Sequence, residues 1–358
     1  MAKKKKKLLF IGPVPLPKGG VSVHIERLST LMNEFFQINY IDESRNIKGQ
    51  YFNIRTFNFV KYIRLIANAD VIHIHSGIKI LRIFHIVFSK IMFKKVVLTL
   101  HNSRQFSNKK QYLIEKYLVK YLVDVLLLVN SDLLKLFNFN KSILQHAFIP
   151  PIQGIEEKLP ENLLKIIKAG KESNKTIIIA NAWRLEEYKN RDLYGVDLCI
   201  DLSLMLKKNG RKALIVFNVS TLEKYAEKFS FFTKLIEEKG LESNFKLLNE
   251  DFSFVKLIEL SDIVLRPTLT DGDALTIREA IYLNKPVIAS NIVDRPKGTI
   301  LFETGNIDDL FEKTLSLMDT NYINSKLEHY NINYYKNLYH NIYNEAISTK
   351  YQKKDFNN

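Results

Sequence analysis

The residues best suited to chemistry lie in the stretch 266–289, whose pattern predicts a strand, a polar loop, a helix and a second strand. Asp271 lies in the loop, and Glu279 follows eight residues later inside the predicted helix, amid apolar residues. Burying a carboxylate without a partner is costly, and a diol such as a ribose could supply that partner through two hydroxyl donors. The backbone N–H groups at the helix start form a predicted anion site, which comprises Gly272, Ala274 and Leu275.

Two further stretches could bind an anion. Arg184 and Lys189 follow the predicted strand 176–180. Their side chains could grip a diphosphate, because arginine offers a bidentate fork and lysine a mobile point charge. Gly19 and Gly20 precede a predicted helix, where paired glycines let backbone N–H groups approach a phosphate. The alternative interpretations are a solvated charged loop at Arg184 and an ordinary Pro/Gly loop at Gly19.

Three histidines lie at or near strand ends. His101 closes the predicted strand 96–101, where a polar side chain would face the ligand cleft of an α/β domain. A structural histidine is the alternative. His73 and His75 alternate in another predicted strand and could form a metal pair, but the sequence offers no evident third ligand. We therefore predict no metal site.

Short apolar strands alternate with amphipathic helices along the whole chain, which is typical of doubly wound α/β domains. The pattern breaks at Pro150 and Pro151 and at the polar stretch that continues to about Ser173. We predict an N-terminal domain at 1–155, a C-terminal domain at 156–328 and a C-terminal segment at 329–358. The two Rossmann-like domains would face each other across a cleft. The last segment would be a helix with a frayed tail.

Composition indicates a reducing compartment, because the 358 residues include a single cysteine, Cys199, and no intrachain disulfide can form. The lysine-rich start lacks the apolar region and cleavage site of a signal peptide. A membrane span needs about 18 consecutive apolar residues, and the stretch 118–129 is interrupted by Lys120 and Asp124. We therefore expect a cytoplasmic protein.

Charge is distributed unevenly between the two halves. Residues 1–150 contain 24 Lys/Arg and 8 Asp/Glu, whereas residues 151–358 contain 29 and 30. Basic and aromatic residues alternate in 51–66 and 78–95, which suits contact with an anionic lipid surface. The alternatives are buried aromatics beside solvated lysines, or nucleic-acid binding. Nucleic-acid binding explains the charge but not the stretch from Asp271 to Glu279.

Together these stretches resemble the retaining glycosyltransferases of family 4, which have the GT-B fold. The resemblance covers nearly the whole chain, and its most specific part is the spacing of Asp271 and Glu279. The other matching motifs are the glycine loop 12–24, the strand 70–75, the strand 98–101 ending in His101, the pair Arg184 and Lys189, and the segment Lys285–Ala289.

The resemblance implies a role for each matching residue. Glu279 would bind the nucleotide ribose, and Asp271 and Asp273 would contact the donor sugar. Arg184 and Lys189 would neutralise the leaving diphosphate, with Gly19, Gly20, Gly272, Ala274 and Leu275 as further diphosphate ligands. His101 and Asp271 would be the catalytic residues. The expected reaction retains the anomeric configuration and needs no metal and no cofactor.

The resemblance also implies a substrate class and a setting. The donor would be a nucleotide sugar carrying UDP or GDP, and the acceptor a lipid-linked saccharide or polysaccharide. Such an enzyme would act in bacterial polysaccharide, lipopolysaccharide or capsule synthesis. We expect it to lie on the inner face of the cell membrane, attached through its basic N-terminal domain, and not to bind nucleic acid. The C-terminal helix would return to that domain.

Three departures from the family pattern leave alternatives open. Asp271 is one methylene shorter than the usual glutamate, and Pro150-Pro151 replaces a usual Asn-Gly pair. Asn190 replaces a usual glycine, and Gly195 follows only later, as after an insertion. The alternatives are a GT-B epimerase-like enzyme and a non-catalytic member. Asp271-Gly272-Asp273 also resembles the metal motif of GT-A transferases, but that motif belongs to a single-domain fold.

Overall fold

The computed structural model describes residues 5–15, 19–45, 47, 49–102, 106, 109–152, 154, 158–320 and 331–348. Backbone contacts divide the chain into two units. Unit 1 comprises Met1–Leu16, Gly20–Ile149 and Asn331–Asn358, and unit 2 comprises Pro17–Gly19 and Pro150–Tyr330. The predicted boundary between residues 155 and 156 and the predicted frayed tail at 350–358 lie outside the described residues.

Unit 1 is built on a seven-stranded parallel sheet with the order β3-β2-β1-β4-β5-β6-β7. The inner strands are apolar runs buried on both faces, as parallel sheets require. The strands are β1 Lys6–Gly12, β2 Phe36–Asp42, β3 Phe52–Asn53, β4 Val71–Ile74, β5 Lys95–Leu100, β6 Val125–Leu128 and β7 Ser142–Leu144.

The helices of unit 1 cover this sheet. They are α1 Gly20–Met32, α2 Phe59–Asn68, α3 Lys79–Ile91, α4 Lys109–Leu122, α5 Ser131–Leu136 and α12 Ile332–Ile347, with a 3-10 turn at Ile54–Thr56. The C-terminal helix α12 packs against α1, β4 and β5, and buries Tyr339 and Tyr343. The predicted return of the last helix to the N-terminal domain is thus a feature of the fold.

Unit 2 contains a six-stranded parallel sheet with the order β12-β11-β8-β13-β14-β15 and a separate two-stranded hairpin. Its strands are β8 Thr176–Ala182, β9 Glu187–Tyr188, β10 Arg191–Asp192, β11 Ala213–Val219, β12 Phe245–Leu248, β13 Ile263–Arg266, β14 Val287–Ser290 and β15 Ile300–Phe302. Its helices are α6 Glu161–Glu172, α7 Val196–Lys208, α8 Ala226–Glu238, α9 Phe254–Leu260, α10 Leu275–Tyr282 and α11 Ile307–Asp319, with a 3-10 turn at Glu223–Tyr225.

The core of unit 2 lies on both faces of its sheet, because successive residues of the central strand β8 point to opposite sides. Ile178 and Ala180 join one hydrophobic cluster with α7 and α11. Ile177 and Ile179 join a second cluster with α6, α9 and α10. This alternation anchors β8 firmly, and with it the loop that follows.

One predicted loop is a helix. The sequence predicts that the strand–helix pattern breaks over the polar stretch that leads to Ser173, but Glu161–Glu172 forms α6. Leu163 and Ile167 face the sheet, and a Cβ at Gly170 would come within 2.9 Å of a core isoleucine. The amphipathic spacing of these residues therefore outweighs the polar composition. No helix in the described ranges is long and apolar enough to cross a membrane.

Candidate functional site

The strand order of unit 2 reverses between β8 and β13, and the loops after these two strands begin side by side. The strands pair in parallel, with Leu265 opposite Ala180. Thr276, in the first turn of α10, donates through Oγ1 to Asn181 Oδ1 at 3.2 Å. In open α/β sheets, ligands bind beyond the carboxyl ends of the strands at such a switch point. The predicted donor residues of unit 2 therefore lie on the loops and the helix that follow the carboxyl ends of these two central strands.

Asp271 is held by two arginines. Arg266, the last residue of β13, donates through Nε to Asp271 Oδ2 and through Nη2 to Oδ1, both at 3.0 Å. Arg295 donates through Nη1 to Oδ2 at 2.8 Å. Thr268 Oγ1 at 3.3 Å and the backbone N–H of Gly272 at 3.0 Å complete the set. Five hydrogen bonds thus converge on a side chain that is only 9% exposed.

These arginines decide the charge of Asp271. Burial alone would raise the pKa of its carboxyl, but Arg266 and Arg295 outweigh burial and hold that pKa well below its usual value. The group is therefore ionised at neutral pH. A carboxylate offers about four lone-pair sites, and five donors already point at them. The expected contact between Asp271 and the donor sugar stays a prediction, and it requires a sugar hydroxyl to share an oxygen with an arginine.

The second acid of the loop is also paired. Arg278 Nε donates to Asp273 Oδ1 at 2.8 Å, and both side chains are at most 9% exposed. Three largely buried arginines, one at the end of β13, one in α10 and one after β14, thus pair with the two carboxylates of the loop. The predicted contact of Asp273 with the donor sugar stays a prediction.

The start of α10 can bind an anion. Ala274 is its N-cap residue, and within the described chain no side chain caps the helix. The first N–H groups of a helix lack intrahelical acceptors and carry a partial positive charge. Gly272 has open space where a Cβ would lie, so a ligand can approach its backbone. The structure places Gly272, Ala274 and Leu275 where the sequence predicts a diphosphate, whose binding stays a prediction.

Glu279 lies inside α10 and is 4% exposed. Its neighbours Ile277, Ala280 and Ile281 are buried in the cluster on that face of the sheet. The predicted burial of this carboxylate is present in the structure. Its binding to a nucleotide ribose stays a prediction.

Arg184 lies just before a hairpin that sequence reasoning missed, and Lys189 lies in the turn of that hairpin. Arg184 pairs with Glu186, and Nη2 lies 2.7 Å from Oε2. Strands β9 and β10 are antiparallel, and the two residues between them, Lys189 and Asn190, have φ angles of 51° and 60°. Two left-handed residues between antiparallel strands make a type I′ turn, in which asparagine is favoured. The suspected insertion is therefore a hairpin, with exposed Lys189 at its tip above the Tyr188 ring.

Gly195 lets the backbone after this hairpin pack closely against the loop that follows β13. Its φ is 78°, and a Cβ there would lie 2.5 Å from the Pro267 carbonyl oxygen. The backbone N–H of Leu269 donates to the carbonyl of Leu193 at 2.9 Å. Both loops of the site are thus joined through backbone, and glycine is required because of both its φ and the close approach.

In unit 1, Gly20 is the first residue of α1, and no acidic residue lies in the first helical turn. A Cβ at Gly20 would meet nothing within 4 Å, so the backbone is open to a ligand. Gly19 immediately precedes the helix, whereas residues 16–18 of the predicted loop lie outside the described residues. Phosphate binding at Gly19 and Gly20 stays a prediction.

Four histidines form a cluster at the switch point of unit 1, where the strand order reverses between β1 and β4. This histidine cluster consists of His24, His73, His75 and His101. His75 Nδ1 and His101 Nε2 are 3.0 Å apart, so one ring donates to the other. The His24 ring lies 5.3 Å from that of His75 and 5.6 Å from that of His101, between centroids.

The histidine cluster is neutral. Burial lowers the pKa of His24 to about 4. Burial, and then the neighbouring histidines, lower the pKa values of His73, His75 and His101 well below the usual value. His101 therefore lies at its predicted strand end as a neutral ring. Its catalytic role stays a prediction.

His73 is occupied by hydroxyl groups. Its Nδ1 lies 2.7 Å from the Tyr343 hydroxyl of α12, and its Nε2 lies 2.7 Å from Thr99 Oγ1. Neither nitrogen is available to a metal, which removes the metal pair with His75. In the described part of the chain, no group of three or more His, Cys, Asp or Glu side chains could hold a metal ion.

Sequence reasoning missed four members of these sites, and three of them left a weak signal. Arg266 stands at a strand end, and Arg278 follows Asp273 by five residues, so both could have been paired with the loop acids. Arg295 lies 24 residues beyond Asp271, and only the adjacency of β13 and β14 brings it there. His24 is the last residue of the glycine motif 12–24, and its residue type is the only signal that marks it in the sequence.

Comparison with solved structures gives the fold. Anabaena Alr3699/HepE, in complex with UDP and glucose, aligns over 95% of this chain and 100% of its own, with 13% identity and a TM-score of 0.70. The chain has the GT-B fold. A glycosyltransferase from Rickettsia africae ESF-5 aligns over 97% of this chain and 100% of its own, with 16% identity and a TM-score of 0.67.

Sequence comparison gives a partial relative. The poly(ribitol-phosphate) alpha-N-acetylglucosaminyltransferase of Staphylococcus aureus (strain COL) is 29% identical over 167 residues. This match covers 44% of the chain and 31% of the Staphylococcus protein, so under a third of that relative is spanned. No protein-family model matches the chain.

Proposed function

We propose that this protein is a glycosyltransferase of the family 4 type, which transfers a sugar from a UDP-sugar to a saccharide acceptor with retention of configuration. The observation that carries the proposal is the switch point of unit 2. There the start of α10, which no described side chain caps, the arginine-paired acids of the loop and the buried Glu279 lie on adjoining segments. The Staphylococcus and Rickettsia proteins, both named as transferases, and UDP bound to the Anabaena protein support this choice.

The chain's own groups would act mainly on the leaving diphosphate. As the bond from the anomeric carbon to the phosphate oxygen breaks, negative charge grows on that oxygen. The N–H groups at the start of α10, with Arg184 and Lys189, would stabilise this charge. The acceptor oxygen would attack from the face that the diphosphate leaves, and its proton would pass to the leaving oxygen. Same-face attack retains the configuration.

The remaining residues would position the donor. Glu279 would accept hydrogen bonds from the ribose hydroxyls. Asp271 would hold the loop before α10 in place through Arg266 and Arg295, and meet the sugar from there. His101 would contact the sugar through its neutral ring, without adding charge. This assignment needs no metal.

The acceptor would be a saccharide polymer or a lipid-linked saccharide. The Staphylococcus relative acts on poly(ribitol-phosphate), which is a polyanion. Residues 1–150 of this chain carry an excess of 16 positive charges, which attracts either an anionic acceptor or an anionic lipid surface. We therefore place the enzyme at the cytoplasmic face of a bacterial membrane, where surface polysaccharides are made.

Protection against thermal unfolding by nucleotides tests the donor site. A nucleotide at 100 times its dissociation constant should stabilise the protein by about 2.7 kcal/mol. Protection by UDP should be lost in Glu279→Ala and weakened in Arg184→Ala. The matched control is Arg211→Ala, since Arg211 is as exposed as Arg184 and is also paired with an acid. Glu186→Gln should tighten UDP binding, because it frees the Arg184 guanidinium.

Outcomes of this experiment separate the alternatives. Protection by UDP and by one UDP-sugar supports the proposal, and the anomeric configuration of the product, read by NMR, tests retention. Release of free UDP with an epimerised sugar, in the absence of an acceptor, would point to an epimerase-like enzyme. A lack of response to every nucleotide would contradict the proposal.

A further inference from the structure

An apolar cavity opens on unit 1, away from the histidine cluster and the glycine loop. It has a volume of 250 Å³ and lies between the 3-10 turn, α2 and the start of α3. The side chains that matter for its chemistry are Ile54, Phe57, Phe59, Ile80, Leu81 and Phe84. Two lining residues carry polar groups, and both groups are already engaged: the Asn58 side-chain oxygen caps α2 at the N–H of Lys61, and the Tyr62 hydroxyl lies 2.9 Å from His85 Nδ1. The cavity thus offers hydrocarbon and almost no hydrogen bonds.

The rim of this cavity is apolar as well as exposed. Phe57 is 88% exposed, Ile80 79%, Val60 69% and Phe59 53%. A contiguous apolar surface of this kind marks an interaction site more often than isolated exposed residues do. Phe57 also has a φ of 52°, a left-handed conformation that is costly for a bulky side chain. This conformation caps the 3-10 turn, because the backbone N–H of Phe57 donates to the Ile54 carbonyl, and it leaves the phenyl ring in solvent.

A second phenylalanine repeats this combination at the other end of α3. Phe93 follows the helix, has a φ of 55° and is 95% exposed. Ile91, at the last turn of the helix, is 64% exposed. Ile80 and Ile91 are eleven residues apart, which is close to three helical turns, so they share one face of α3. The apolar surface therefore runs along the helix rather than stopping at the cavity.

Positive charge surrounds this surface. Residues 44–114 include thirteen Lys/Arg and a single acidic residue, Asp70, and three of the cations, Arg82, Lys90 and Lys95, pair with Glu115 or Asp124 outside this range. Arg55, Lys61 and Arg64 are exposed, and none of them forms an ion pair with a described residue. Each Lys or Arg near an anionic bilayer contributes about 1 kcal/mol to binding. An amphipathic helix with such neighbours lies in the interface plane of a membrane.

We propose that this surface docks on an anionic phospholipid bilayer and that the cavity takes one hydrocarbon chain of a lipid whose phosphate meets Arg55, Lys61 or Arg64. This inference rests on the proposed membrane association and names the site that carries it. A nucleic acid would use the charge but would leave the aliphatic lining of Ile54, Ile80 and Leu81 without a partner. A second copy of the chain would bring two surfaces of like charge together, which disfavours a symmetric dimer.

Flotation with phospholipid vesicles tests the surface. The full chain should bind vesicles that contain phosphatidylglycerol more tightly than vesicles of phosphatidylcholine alone, and salt should weaken the difference. Phe57→Asn combined with Ile80→Ser should weaken binding by about tenfold or more. Asparagine tolerates the left-handed φ at residue 57, so the fold is kept. Arg55→Gln and Arg64→Gln should each weaken binding by about fivefold.

The matched control lies on α8 of unit 2. Phe231 is 59% exposed and Lys234 is exposed, so Phe231→Ser with Lys234→Gln removes the same chemistry elsewhere. This control should bind vesicles like the unsubstituted chain. Equal losses in the control and in the unit 1 variants would contradict the location. All variants should keep protection by UDP, so a failure of lipid binding is distinguished from a failure of the donor site.

Brominated lipids test the cavity. Ile80→Trp places a fluorophore at the cavity, and the unsubstituted chain, with Trp183 alone, gives the baseline. Bromine on the acyl chains should quench the new fluorescence, whereas bound vesicles without quenching would overturn chain entry. Two results would overturn the proposal. One is that the chain binds single-stranded RNA but not vesicles. The other is that the chain forms a dimer that the Phe57 variant does not form, and that it does not bind vesicles.

Discussion

Replacing Asp271 by asparagine should destabilise unit 2 strongly. The change leaves Arg266 and Arg295, whose side chains are 11% and 2% exposed, without their countercharge. In either orientation of the new amide, its NH₂ group faces an arginine donor. Removing one partner of a buried ion pair costs about 3–5 kcal/mol, because a charge is left buried and uncompensated. For a unit of this size, that loss lowers the melting temperature by about 6–20 °C.

The matched control has the same chemistry at the surface. Arg211 and Asp319 also form two hydrogen bonds, at 2.8 and 2.7 Å, but their side chains are 37% and 52% exposed. Asp319→Asn should therefore cost less than about 1 kcal/mol. Urea unfolding of both variants, followed by circular dichroism, measures the difference. The double variant Asp271→Asn/Arg295→Met should be more stable than Asp271→Asn alone, since one uncompensated charge is removed.

The pH dependence of this effect follows from the sign of the shift. The pKa of Asp271 is depressed in the folded chain, so its contribution is fully present above the unfolded value of about 3.9. It is lost only as pH falls through the folded pKa. The difference between Asp271→Asn and the unsubstituted chain should thus stay constant from about pH 5 to 9. Equal losses for Asp271→Asn and Asp319→Asn would refute the argument from burial.

Three further predictions concern the histidine cluster, a tightly packed glycine and a buried tyrosine. Stability should fall as pH drops from about 6.5 to about 4, by up to about 1.4 kcal/mol per pH unit for His24, because this histidine binds a proton in the unfolded chain but not in the buried site. His73, His75 and His101 should act in the same direction. A flat profile in urea titrations would contradict this. Gly195→Ala should lower the free energy of unfolding by at least about 2 kcal/mol, because the new Cβ would clash with Pro267. The control Gly210→Ala, with a φ of 67° and no atom within 4 Å of its Cβ, should lower it by about 1–2 kcal/mol, for the left-handed conformation alone. Equal melting temperatures of the two variants would disprove the clash. Tyr343→Phe should lower the free energy of unfolding by about 1–3 kcal/mol, because the hydrogen bond between the Tyr343 hydroxyl and His73 is lost. The control Tyr334→Phe, at a residue that is 49% exposed, should leave the melting temperature unchanged.

The alternation of strands and helices was predictable because parallel strands leave a local signal. Runs such as Leu8–Ile11 and Ile177–Ala180 are buried on both faces and read as continuous apolar stretches. The fold class is confirmed by the two parallel sheets and by the solved GT-B structures. The hairpin β9–β10 was missed because its strands have two residues each and its turn is Lys-Asn, without the usual glycine.

The candidate site was predictable in position but not in its pairing. Asp271 and Glu279 stand out through local context, a polar loop and a buried helix position. Arg295 does not, because it reaches Asp271 only when β14 and the turn after it fold beside β13. A single sequence contains no local trace of such a contact. The same holds for the bond between His73 and Tyr343, which spans 270 residues.

The pairing changes how the loop before α10 is expected to act. The family resemblance implies that Asp271 and Asp273 contact the donor sugar, and in the structure both carboxylates are engaged by arginines. The helix start beside these pairs has no side-chain cap among the described residues, so its N–H groups keep a partial positive charge. That partial charge favours a dianion such as a diphosphate. The acids would then fix the geometry of the anion site, and the backbone and arginines would supply its attraction.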